Sequence, residues 1–132
     1  MKIAVCVVAV LVVFGGVISI EKPVQAAQKK QPAAPLDGEQ LFESRCSGCH
    51  AMDTDGKGPR LRGVYGRRAG AVRWDGYSSG MRDANFAWDD YQLNKWLTDP
   101  DSVVGVSNMD FKVRKKEERD AIIGFLKSDA AR

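Results

Sequence analysis

Apolar positions recur at helical spacing in three places along this chain and hold no period for long between them. Asp37 is a good helix N-cap, and Gln40 three residues later completes a capping-box pattern. Leu41, Phe42, Arg45 and Cys46 follow at helical spacing, which predicts a short helix leading into Cys46. Asp89 and Gln92 repeat the capping pattern, and Leu93, Trp96 and Leu97 form an i, i+3, i+4 stripe that must stop before Pro100. A last helix is predicted from about Lys116 to Ser128, with Ala121, Ile122, Phe125 and Leu126 on its apolar side. Residues 51–87 are rich in glycine and polar side chains, and residues 101–113 are irregular. Strand signals are weak throughout. The pattern predicts an all-α domain of about three helices, with loops so long that they need something to fold around.

The N-terminus follows another pattern. Lys2 precedes an apolar run from Ile3 to Ile20, interrupted only by Gly15, Gly16 and Ser19, and small residues follow at Val24-Gln25-Ala26-Ala27. Residues 1–26 therefore read as a signal peptide cleaved after Ala26 or Ala27. The alternative is an uncleaved membrane anchor, since residues 3–20 are long enough to span a bilayer. Either way the folded part is expected in the periplasm, soluble if cleaved and otherwise tethered to the inner membrane. Cys6 lies in this leader and reads as filler. Residues 27–35, which include QKKQPAAP, read as a flexible linker, and residues 36–132 as the domain.

The chain of 132 residues suits one compact core, with 44% hydrophobic and 28% charged residues and a formal charge of +3. From Ala27 onward 18 basic residues face 16 acidic ones, so the mature charge is about +2. No strongly basic stripe exists, which argues against nucleic-acid binding.

The stretch RCSGCH at 45–50 holds two of the three cysteines and the single histidine. A zinc site needs four ligands, and no further Cys or His follows the leader to complete one. A dithiol redox motif expects a βαβ setting, whereas the flanks here are helical and glycine-rich. Covalent haem attachment is the established meaning of C-x-x-C-H. Cys46 and Cys49, three apart on a tight turn, reach the two vinyl groups on one side of a porphyrin, and His50 supplies an axial nitrogen. The other face of the iron needs a ligand. Met52 is too close to His50 to cross the ring, and spacing alone leaves Met81 and Met109 both open.

From Gly38 to Leu126 the chain resembles class I c-type cytochromes, with the mitochondrial cytochrome c and bacterial cytochrome c2 group nearest. The resemblance rests on CSGCH, GPRLRGVYGRRAG at 58–70, Tyr77, Trp88, LNKWLTDP at 93–100, SNMDF at 107–111 and a final AIIGFLK, in order. It implies the cytochrome c fold, short helices and long loops around one covalently bound haem c.

Several roles follow from the resemblance. Met109 becomes the second axial ligand beside His50, and Met81 does not. The Pro59 carbonyl accepts the His50 ring N–H, which fixes the imidazole. Gly58 lets the backbone come close. Arg67, Tyr77 and Trp88 surround a haem propionate, to which all three offer donors. Trp96, Leu97, Phe111 and Leu61 line the haem face, and Gly38 and Phe42 meet Ile122 and Phe125 where the first and last helices cross. Thioether opposite histidine raises the reduction potential.

The chain also departs from the family pattern. The loop between His50 and Gly58 is short, Gly105-Val106 replaces the usual Pro-Gly, and Asn108 stands where a lysine is common. Arg45 and the run Lys112-Val113-Arg114-Lys115-Lys116 keep basic character, with the run read as a solvated face.

The resemblance implies an electron carrier and not an enzyme. It would pass single electrons between redox proteins such as a cytochrome bc1-type donor and an oxidase or reductase acceptor. Two alternatives stand beside it: a haem protein with an open sixth site for peroxidase chemistry or gas binding, and a haem subunit docked on a larger oxidase or dehydrogenase.

Overall fold

The structure, a computed structural model, describes residues 34–132. The expected signal peptide and most of the linker lie outside the described residues. Among the described residues five helices appear in order: α1 (Gly38–Arg45), α2 (Ser79–Arg82), α3 (Asp90–Thr98), α4 (Asp101–Val104) and α5 (Lys116–Lys127), before a closing 3-10 turn, Asp129–Ala131. Among the described residues the one β-type pairing is an isolated bridge between Arg68 and Ala87. The fold is the all-α arrangement that the pattern predicts.

The capping residues start their helices by satisfying N–H groups that have no partner inside the first turn. Asp37 Oδ1 accepts from the backbone of Glu39 at 3.0 Å and Gln40 at 3.2 Å. Asp89 Oδ1 accepts from the backbone of Gln92 at 2.7 Å. Helix α3 ends at Thr98, ahead of Pro100 as expected.

Two short helices were not expected. The stretch after Pro100 is not irregular throughout, because Asp101–Val104 makes one helical turn. Pro100 itself is helical, at φ −57° and ψ −38°, and opens the turn where its missing N–H costs nothing. Gly105, at φ +78°, then ends it in a left-handed conformation that suits glycine. Within the glycine-rich region, Ser78 Oγ caps α2 by accepting from the Met81 backbone at 3.2 Å. Four-residue helices are too short to display a 3.6-residue period.

Helices α1 and α5 cross at close range. A Cβ on Gly38 would lie 2.1 Å from the Ala121 carbonyl oxygen, so only glycine admits this approach. Phe42 and Phe125 meet beside it with ring centroids 5.4 Å apart. Glu118 on α5 is buried and paired to Arg45 at 2.9 Å, which ties the end of α1 to α5. Phe42, Val64, Trp88, Leu93, Leu97, Val113, Ile122, Ile123 and Leu126 form one buried cluster. The long loop is strung across it by backbone bonds, among them Gly63 N–H to Ala131 O at 2.7 Å and Trp88 N–H to Arg67 O at 2.9 Å.

Candidate cofactor site

The C-terminal end of α1 runs into a tight coil that carries the cysteine–histidine motif. Cys46 N–H bonds to Phe42 O at 2.8 Å, and His50 N–H bonds to Cys46 O at 2.9 Å. This coil turns Cys46, Cys49 and His50 onto one cavity of about 450 Å³. The size falls in the ordinary range for a small-molecule site. Its walls are largely apolar, with Phe42, Leu61, Val64, Leu93, Leu97 and Leu126 among them. Burial pushes the Cys46 thiol up to about 11.

His50 Nδ1 lies 2.7 Å from the Pro59 carbonyl oxygen. A carbonyl only accepts, so Nδ1 carries the proton and Nε2 keeps its lone pair free to bind a metal. Gly58 makes this approach possible, since a Cβ there would stand 2.3 Å from His50 Cε1.

Met109 lines the same cavity from the loop between α4 and α5. The Trp96 indole N–H donates to its sulfur across 3.1 Å. The loop is fastened at the two residues just before the methionine. Ser107 N–H bonds to Asp101 Oδ1 at 2.8 Å, and Asn108 Nδ2 donates to the Gly76 carbonyl at 2.8 Å. Trp96 in turn packs edge-on against Trp88, 5.3 Å between centroids, so Met109, Trp96 and Trp88 form a continuous contact.

Arg67, Tyr77 and Trp88 also border the cavity. The Arg67 guanidinium donates to the carbonyls of Arg62 at 2.7 Å and Arg60 at 3.0 Å. No carboxylate of the described residues pairs with it, and burial holds its pKa below the usual arginine value. Burial also raises the Tyr77 hydroxyl. Neither that hydroxyl nor the Trp88 indole N–H donates to a described residue, although Trp88 is only 7% exposed. A half-buried cation flanked by two unused donors calls for an anionic acceptor.

The donor set therefore fits a haem: two thiols and an imidazole at one wall, a thioether, apolar faces, and a cationic corner for carboxylates. All ten residues singled out from the sequence, Cys46, Cys49, His50, Pro59, Arg67, Tyr77, Trp88, Trp96, Met109 and Phe111, border this single cavity. Phe111 is 38% exposed and stands at the rim. Met81 borders it as well, beside Ser78 and Trp74, neither of which has a periodic signature in the sequence.

The basic run is the solvated face that the sequence predicts, with Lys112, Arg114, Lys115 and Lys116 all exposed. Lys112 pairs with Asp99 at 2.9 Å, Lys115 lies 3.7 Å from Glu118, and Lys116 pairs with Asp120 at 2.6 Å. Three of its four cations thus have an acidic neighbour, in exposed pairs that solvent weakens.

The cytochrome c family model matches residues 36–129. Cytochrome c of Euglena viridis is 38% identical over 94 residues, covering 69% of this chain and 92% of that protein. Cytochrome c of Gibberella zeae is 32% identical over 94 residues, covering 68% of this chain and 89% of that protein. Among solved structures, cytochrome cH from Methylobacterium extorquens superposes with a TM-score of 0.63 at 34% identity, covering 68% of this chain and 93% of its own.

Proposed function

This chain belongs to the cytochrome c family of haem-bearing electron carriers, and from that premise we propose that it is an exported, single-haem carrier with six-coordinate iron. A haem c would be held through Cys46 and Cys49, with His50 and Met109 supplying the two protein ligands to its iron. The observation that carries the reading is the presence of the free His50 Nε2 and the Met109 thioether on one cavity. With both axial positions filled by protein, no coordination site stays open for substrate or gas, which favours electron transfer.

When bound, the haem supplies a one-electron iron couple, and the protein's part is to hold and shield it. Pro59 keeps the His50 ring in one orientation and one tautomer, and makes the ligating nitrogen more basic. Arg67, Tyr77 and Trp88 receive a propionate carboxylate. Leu61, Trp96, Leu97 and Phe111 exclude water from the ring faces, which lowers the dielectric around the site. Trp96 holds the methionine sulfur by a hydrogen bond from its indole N–H.

The physiological partners in this reading are a cytochrome bc1-type donor and an oxidase or reductase acceptor, reached in the periplasm after export directed by residues 1–26. The protein then carries out no catalysis of its own. Carbon monoxide added to the reduced haem-loaded protein tests the coordination. The expected result is no rapid change in the spectrum. Rapid binding would mean an open sixth position and would support a peroxidase or gas-binding role instead.

A further inference from the structure

The loop that presents Met109 leaves the protein body at Asp99 and rejoins it at Lys112, and the two ends are in contact. Pro100 and Val113, just inside the neck, rank among the most deeply buried residues of the protein. Val113 N–H bonds to the Leu97 carbonyl at 2.7 Å, which fixes the returning strand against the end of α3. Lys112 Nζ stands 2.9 Å from Asp99 Oδ1 and closes the neck on the side toward the loop. That oxygen is shielded from solvent, and the Lys112 ammonium beside it, together with the backbone N–H groups of Asp101 and Ser102, favours the charged carboxylate. Asp101 and Asp110 place further negative charge around the same ammonium.

Val104 packs against the core, and the loop beyond it has little burial to hold it. Gly105 and Val106 are exposed, Val106 to 66%. The bonds from Ser107 N–H to Asp101 and from Asn108 Nδ2 to Gly76 are also at exposed positions, whereas Ser107 Oγ accepts from the Met109 N–H at a part-buried one. Freedom of Met109 to leave the cavity thus depends on whether the neck stays shut.

We propose that Asp99 and Lys112 form a clasp at the neck of the 99–112 loop, and that as positioning residues they set how often the loop swings out and takes Met109 from the cavity. The inference rests on the reading of Met109 as an axial ligand. It assigns a function to a lysine that otherwise belongs to a basic run on the surface. The two partners differ in what their loss leaves behind. Removing Lys112 strands a shielded carboxylate oxygen, whereas Asp99→Asn removes that charge together with the pair.

The experiment is imidazole binding to the oxidised, haem-loaded protein by stopped flow, in which the rate at saturating imidazole reports loop opening. Lys112→Gln is expected to raise that limiting rate by about 1.5- to 5-fold, the range for a partly exposed ion pair. Asp99→Asn should raise it less, and Lys112→Arg should restore the original rate. Salt at 1 M is expected to speed the unsubstituted protein and leave Lys112→Gln unchanged (screening length about 3 Å). A limiting rate identical in Lys112→Gln and the unsubstituted protein overturns the clasp. So does an Arg variant as fast as the Gln variant. If Lys112→Gln does not fold, Asp99→Asn carries the same comparison, and an unchanged rate there has the same meaning. Failure of the underlying ligand reading looks different: the rate would rise linearly with imidazole in the unsubstituted protein and would not respond to Met109→Ala.

Discussion

The indole N–H of Trp96 donates to the sulfur of Met109 across 3.1 Å, joining helix α3 to the one thioether presented by the α4–α5 loop. A donor on the sulfur withdraws electron density that would otherwise reach the iron. Oxidised iron needs that density more than reduced iron does, so the bond favours the reduced state. Trp96→Phe keeps an apolar ring and removes the donor. The reduction potential is expected to fall by about 20–40 mV, since a weak hydrogen bond of about 0.5–1 kcal/mol acts on one electron. Protein-film voltammetry of the two proteins measures it; an unchanged or higher potential would show that the bond does not tune the sulfur.

Gly58 gives the second prediction. A side chain there would drive a Cβ to within 2.3 Å of the His50 ring. Gly58→Ala should push the imidazole away from Pro59 and destabilise the haem-loaded protein by about 1–3 kcal/mol, as overpacking does elsewhere. The check is the denaturant midpoint together with the yield of covalently loaded protein. Unaltered values in both would mean that the His50–Gly58 approach is not constrained.

The third concerns pH and an exposed cluster that ties the long loop to α3 and α5. Asp90 accepts from Tyr65 at 2.8 Å and from Lys127 at 2.9 Å and 3.0 Å. Lys127, and after it Tyr65, holds the Asp90 carboxyl below its ordinary value of 3.8. The hydrogen bond to Asp90 raises Lys127 above 10.5 and Tyr65 above 10.0. A depressed acid contributes stability above its unfolded value and loses it as pH falls through the folded one. Raised Lys and Tyr contribute below their unfolded values and lose it as pH rises through the folded ones. Urea midpoints should therefore show a plateau through neutrality with small losses below pH 3.8 and above about pH 10. Asp90→Asn should make both edges shallower, leaving the part that Asp53, Asp99 and Lys112 contribute. Salt should do so too, because the groups are exposed. Edges of unchanged depth in Asp90→Asn would assign them wholly to those other groups.

How much of this was legible beforehand depended on the range of each interaction. Asp37 and Asp89 announce their helices because a cap acts within three residues. The cysteine–histidine motif is readable for the same reason, since its three side chains share one turn. Asp101–Val104 and Ser79–Arg82 were invisible because one turn shows no period. The Lys115–Glu118 and Lys116–Asp120 pairs sit at i, i+3 and i, i+4 and could have been anticipated within α5. Lys112–Asp99 could not, because its members lie 13 positions apart across a stretch with no readable period. The Trp96–Met109 bond is hidden likewise: its donor is fixed by α3, but its acceptor is placed by the path of the loop.

The sharpest remaining choice is between two sulfurs. Met81 and Met109 both border the cavity, and spacing in the sequence did not separate them. Met81 is 5% exposed and sits in helix α2, where Ser78 caps its backbone N–H. Met109 comes from a loop with the Trp96 donor on its sulfur. The decisive measurement is the weak iron–sulfur absorption band of the oxidised, haem-loaded protein in two variants. It should disappear in Met109→Ala and persist in Met81→Ala. Persistence in Met109→Ala with loss in Met81→Ala would contradict the account.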